Sequence, residues 1–110
     1  MNAFIIVGVF VILDIITGLL KAGYNRNINS TILRQGLYHK ITEFITLGVA
    51  VFLEEGSQYI HLGIEVPFVS TVSIYVCIME LTSVLENLCE INPNLKKIFE
   101  PYLAKLRSKK

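Results

Sequence analysis

The sequence predicts an all-α integral membrane protein with three transmembrane helices, an amphipathic segment before the second, and a basic helical tail. Three observations carry this. The stretch Ala3–Ala22 reads AFIIVGVFVILDIITGLLKA, and its first eighteen residues hold one charge, Asp14. At ~1.5 Å per helical residue it covers about 30 Å, the thickness of a bilayer's hydrocarbon core. Pro67–Leu88 is a second such stretch, with Glu80 and Glu86 its only charges. Of the 110 residues, 53% are hydrophobic and 17% charged, with mean hydropathy +0.57, against about 25% charged in soluble domains. A soluble bundle this short cannot bury such helices, because small domains keep much of their surface exposed.

The first span carries a polar stripe. Asp14, Thr17, Gly18 and Lys21 follow i, i+3, i+4, i+7 and share one helix face. An ionisable group at Asp14's depth costs roughly 2.5–3.5 kcal/mol on insertion scales, and by default marks function. Gly18 and Ala22 form a small-xxx-small pair that permits close helix packing. No basic n-region or small-residue cleavage site flanks the apolar run, so a cleavable signal peptide is not expected.

A hydrophilic connector, Tyr24–Ser30, follows, with Gly23, Asn25, Asn27 and Asn29 as loop formers. Asn29 or Ser30 suits the next N-cap. Thr31–Lys40 is amphipathic and is expected at the membrane interface. The second span is the weakest. Ile41–Leu53 is apolar apart from Glu43, and too short to cross alone. Residues 31–40 on one side or 56–64 on the other would complete it. Its stripe is Glu43, Thr46, Ala50, Glu54, Ser57 and His61.

Pro67 suits the first turn of the third helix. Ser73, Cys77, Glu80, Ser83 and Asn87 form its stripe. Asn92-Pro93 then breaks the helix and caps the next. In the tail, Leu95, Ile98, Phe99 and Tyr102 face one way, Lys96, Lys97, Lys105, Arg107, Lys109 and Lys110 clothe the rest, and Pro101 is expected to divide the segment in two. The expected division is a three-helix transmembrane domain over 1–92, with spans at about 3–22, 36–58 and 67–88, and a cytoplasmic basic amphipathic tail over 93–110.

Charge sets the expected orientation. Residues 1–92 hold four basic and eight acidic residues, net −4; residues 93–110 hold six basic and one acidic, net +5. The basic residues before the tail are Lys21, Arg26, Arg34 and Lys40, all around the first connector. The positive-inside rule then puts the N-terminus outside, the first connector and tail in the cytoplasm, and the second connector outside. A basic tail tethered beside a span is expected to bind anionic lipids rather than nucleic acid.

No enzyme, cofactor or metal motif is present. His39 and His61 are placed in different connectors as interfacial or solvent residues. Cys77 and Cys89 lie ~18 Å apart along one helix, beyond disulfide reach, and read as small apolar residues, with an intersubunit role open. The candidate polar set inside the membrane is Asp14, Thr17, Lys21, Glu43, Ser73, Glu80, Ser83 and Asn87. These residues either line a water-filled path or act as hydrogen-bonding glue between helices, with Lys21 and Lys40 as counter-charges. Three such stripes are not expected to be satisfied within one chain, which points to self-association.

Two stretches resemble a family. Leu13-Asp14-Ile15-Ile16-Thr17-Gly18, followed by Ala22, Ser30, Gly36 and Lys40, is similar to the opening pattern of the toxin-secretion/phage-lysis holins of Gram-positive bacteria and their phages. Glu80-Leu81-Thr82-Ser83-Val84-Leu85-Glu86-Asn87 resembles that family's third-helix signature. The resemblance runs from about residue 8 to 107. It implies a non-enzymatic homo-oligomer of the bacterial cytoplasmic membrane that permeabilises it and lets an endolysin or toxin pass without stable binding. Many such holins carry paired start methionines that time lysis; here Asn2 follows Met1 and the next methionine is Met79. The alternative from another class is a non-pore membrane scaffold or regulatory subunit.

Overall fold

A computed structural model describes residues 2–61, 63, 65 and 67–109. Four α-helices follow in order: α1 (Ala3–Tyr24), α2 (Ser30–Gly56), α3 (Phe68–Ile91) and α4 (Lys96–Arg107), with a 3₁₀ turn at Pro93–Leu95 before the last. The first three are long and apolar enough to cross a membrane. The molecule is elongated, 52 Å along its longest axis.

α1, α2 and the 3₁₀ turn start where a preceding side chain can take up free N–H groups. Asn2 accepts from Phe4 N–H at 2.8 Å, and Asn29 accepts from Thr31 and Ile32 N–H at 2.9 and 3.3 Å. Asn92 accepts from Asn94 N–H at 3.2 Å, with Pro93 first in the turn. Pro67 precedes α3 and offers no side-chain acceptor, so the helix begins one residue later than the proline suggests. The missing acceptor comes from α2: Glu54 Oε1 takes Val69 N–H at 3.1 Å. Glu54→Ala is therefore expected to lower thermal stability by about 1 kcal/mol, the usual effect of losing a cap, and Glu54→Gln to retain most of it; melting in detergent checks both.

α1 runs through Gly23, which is a helical residue and not the start of the connector. The turn closes instead with Asn27 N–H bonded to Ala22 C=O and Arg26 N–H to Gly23 C=O, a Schellman arrangement. Its left-handed residue is Arg26, at φ +53°. An arginine there is strained where glycine or asparagine would not be. Arg26→Gly is expected to raise the melting midpoint, corresponding to ~0.5–1 kcal/mol.

α2 is one continuous helix of 27 residues, about 40 Å long. The amphipathic segment and the apolar run are thus a single rod, and the span is completed from the N-terminal side. After Gly56 the chain turns, with Tyr59 and Ile60 N–H both on Gly56 C=O. His39 lies exposed within this helix rather than in a connector.

α3 is the centre of the bundle. It packs chiefly against α1 and less against α2, while α1 and α2 barely meet. The core is Val7, Val11, Leu47 and Val76, with Phe4, Phe44, Val69 and Val72 around it. Most other apolar side chains face outward, among them Ile5, Val9, Ile12, Ile16, Ile45 and Phe52. That inversion suits lipid, where outward apolar surface carries no penalty.

α4 folds back onto α3. Pro101 sits inside it without dividing it, because one missing N–H removes a single intrahelical bond and Leu103, 1% exposed, pins the segment. The face turned inward is Leu95, Phe99, Leu103 and Leu106, while Ile98 and Tyr102 remain exposed. The apolar stripe therefore divides between protein and surroundings. Arg107 Nε meets Glu86 at 3.4 Å and its Nη1 meets Glu100 at 3.5 Å. Both pairs are half-exposed, so they contribute little.

Candidate functional site

Three helices bring charged side chains to one level near their midpoints. Asp14 comes from α1, Lys40 from α2 and Glu80 from α3. Lys40 Nζ donates to Asp14 Oδ2 at 2.6 Å and to Glu80 Oε2 and Oε1 at 3.0 and 3.3 Å. Glu80 is buried, at 3% exposure, and Asp14 and Lys40 are partly buried, at 13% and 14%.

A neutral network extends from the ion cluster toward the first connector. Asn87 Nδ2 donates to Asp14 Oδ1 at 3.2 Å and to Thr17 Oγ1 at 3.1 Å. Thr17 donates back to Leu13 C=O at 2.8 Å, which occupies its hydroxyl proton and leaves its oxygen free to accept. The i, i+3 spacing of Asp14 and Thr17 puts both on Asn87, so one amide reads two α1 side chains. Gly18 faces the same amide: a Cβ there would lie 3.8 Å from Asn87 Nδ2, an ordinary contact. Ala22 is half-buried one turn on.

The remaining candidate residues stand apart from the network. Lys21 pairs with Glu90 at 3.5 Å at the exposed ends of α1 and α3. Ser83 is half-buried on α3. Glu43 Oε2 and Ser73 Oγ are buried without a hydrogen-bond partner. Glu43 lies one turn beyond Lys40 on α2, so its carboxyl joins a region where one ammonium already serves two carboxylates.

Lys40 is the residue whose importance sequence reasoning understates. The sequence presents it as one of two counter-charges at the membrane edge. The structure makes it the hub, because α2 starts at Ser30 and puts residue 40 well inside the helix. The signal was its distance from Asn29: eleven residues past a natural cap is ~16 Å along a helix. Asp14, Thr17, Glu80 and Asn87 thereby find partners within one chain, while Glu43 Oε2 and Ser73 Oγ, on the stripes of α2 and α3, do not. A flexible ammonium with three donors can bridge carboxylates on two neighbours at once.

A family model described as the bacteriophage holin family matches residues 1–108. No curated protein and no solved structure matches the chain. The matched region takes in all three apolar helices, the buried cluster between them and the basic final helix, and the family is not one of enzymes. The chain belongs to the bacteriophage holin family and is a membrane protein of several passes.

Proposed function

We propose that the chain homo-oligomerises in the bacterial cytoplasmic membrane and opens pores through which an endolysin or a toxin leaves without stable binding. The observation that carries this is the Asp14–Lys40–Glu80 cluster. It holds charge at mid-membrane depth, where ionisable groups are kept for function. In one chain the cluster closes on itself. If the same groups turned toward a shared axis between copies, they would line water. Asp14, Thr17, Lys40, Glu80 and Asn87 are then the residues that move from helix bridging to pore lining, with Glu43 and Ser73, unpartnered in the single chain, as further polar wall.

The proposed topology puts the N-terminus outside, the first connector and residues 93–110 in the cytoplasm, and 1–92 in the membrane. Lys21, Arg26 and Arg34 still bias the first connector inward once Lys40 is counted as a core residue. The Lys21–Glu90 pair puts the ends of α1 and α3 on one side, as three antiparallel crossings require. The tail lysines, with Arg107, would rest on anionic lipids at ~1 kcal/mol each at most.

Expression of the chain alone, with dye entry and crosslinking as readouts, tests the function. Permeabilisation together with crosslinked ladders is the expected result. The rival reading, a non-pore scaffold or regulatory subunit, draws on the self-satisfied network, and it would insert and leave cells tight. Topology is tested separately with an impermeant thiol reagent on intact cells: a cysteine at Ser57 should label and Cys89 should not. The reverse pattern would remove the three-span orientation.

A further inference from the structure

Between the C-terminal half of α1 and the N-terminal half of α2 lies a cleft of about 520 Å³, within the ~300–1,000 Å³ of small-ligand sites. The Asp14–Lys40 pair joins the two helices, which otherwise make little contact. The ion pair forms the floor of the cleft and the connector amides Asn25, Asn27 and Asn29 form its rim. The walls are apolar or small: Leu19 and Gly18 on α1, Ile32, Leu33, Gly36 and Leu37 on α2. Leu19, Ile32 and Leu37 are each about half exposed or more in the isolated chain.

The geometry points to a binding site for one anionic phospholipid of the leaflet that borders the first connector, with an acyl chain in the cleft and its phosphate at Lys21 and the connector amides. Two observations select this occupant. The first is height. From Asp14 to Asn25 is eleven residues, ~16 Å along the helix, and one leaflet's hydrocarbon depth is about 15 Å. The cleft therefore fits one leaflet's chain, whereas a spanning helix of a second copy would meet the Asp14–Lys40 floor halfway. The second is charge. Lys21 lines the rim, Arg26 sits between the rim residues Asn25 and Asn27, and Arg34 follows the wall residue Leu33. The acidic neighbour at the rim is Glu90, held to Lys21 by a long, exposed contact of 3.5 Å that a phosphate can replace. The Asp14 carboxylate at the floor is matched by Lys40.

The site stands independently of the pore reading, and its test reads lipid and not leakage. The full chain is reconstituted into phosphatidylcholine vesicles containing phosphatidylglycerol, extracted gently and weighed intact by native mass spectrometry. One retained phosphatidylglycerol per chain is expected, with phosphatidylcholine retained less and glycerol phosphate not at all. Lys21→Gln should lower retention about fivefold, the equivalent of one basic contact with an anionic surface. Gly36→Phe should abolish it by filling the cleft, since nothing lies within 4 Å of a Cβ built at Gly36. Ile45→Phe, which adds the same bulk on an exposed face, should leave it unchanged. Circular dichroism establishes that each variant keeps its helices, and Lys21→Gln stands as the second variant if Gly36→Phe does not. Equal retention of the two lipids, or full retention in Gly36→Phe, overturns the site. Efficient disulfide linkage of two copies through Gly36→Cys overturns it too, in favour of a second copy in the cleft.

Discussion

Lys40→Met is expected to be the most damaging single substitution in this chain. It removes the one ammonium that serves both Asp14 and Glu80 and leaves two carboxylates facing each other in an apolar bundle. Breaking a buried pair on one side costs about 3–5 kcal/mol, because the abandoned charge remains. That is a large part of the ~5–15 kcal/mol by which folded proteins are stable. Methionine matches the lysine stem, so the apolar packing is retained. The expected result is a sharp fall in membrane-inserted protein and loss of a cooperative melt in detergent. The double variant Lys40→Met/Glu80→Met should recover much of the loss, since it deletes the stranded Glu80 charge while Asp14 keeps its bond to Asn87. If Lys40→Met alone melts like the parent, the cluster does not hold the bundle together.

Asp14→Leu and Asp14→Asn are expected to separate structure from permeation. Leucine deletes one of the two carboxylate partners of Lys40 and one of the two acceptors of Asn87, and it leaves the ammonium paired with Glu80 alone. A loss of about 2–4 kcal/mol is expected, in the range for truncating one side of a buried charge pair, with weaker crosslinking between copies. Asparagine still offers one oxygen, to Lys40 or to Asn87, and Glu80 still holds Lys40, so Asp14→Asn should insert and assemble. It removes a negative charge from the proposed pore wall, and so should change the onset or ion preference of leakage. Matched induction with dye entry, ion-selective leakage from vesicles and crosslinking reads both variants. An Asp14→Leu protein that assembles and leaks like the parent would show that Asp14 neither bridges helices nor lines a pore.

These two experiments bear on how a self-closed chain would become the proposed pore. The network is nearly complete within one copy, and what it leaves unpaired is Glu43 Oε2 and Ser73 Oγ. Opening then requires bonds inside the chain to be exchanged for bonds between chains or to water. Such an exchange is close to balanced in energy when each lost partner is replaced. Lys40→Met and Asp14→Asn should therefore diverge: one removes the closed state, the other retains it and changes what it becomes.

The sequence by itself determined the class, the helix count and the polar faces. Apolar runs of membrane length have one solution in lipid, a helix that satisfies its own backbone, so the helices read at 3–22 and 67–88 were legible from composition, while their observed ends are Ala3–Tyr24 and Phe68–Ile91. The caps at Asn29 and Asn92 were legible because a short amide side chain before a periodic run has a local purpose. Asp14, Thr17, Glu80 and Asn87 were legible as stripes because helical spacing puts them on one side. Periodicity describes one helix at a time, however. Which stripe meets which depends on how three rods rotate and slide against one another, and that is settled by contacts between residues far apart in the chain. Hence only the tertiary structure decided that α2 is completed by residues 30–40 and not by those after Gly56, and that Lys40 is therefore the hub. Only it placed Glu54 at the start of α3 and turned Leu103 inward in place of Tyr102. The same reason covers the cleft: α1 and α2 are neighbours in sequence and are joined by the Asp14–Lys40 pair, and the space between them is one that no single helix could foretell.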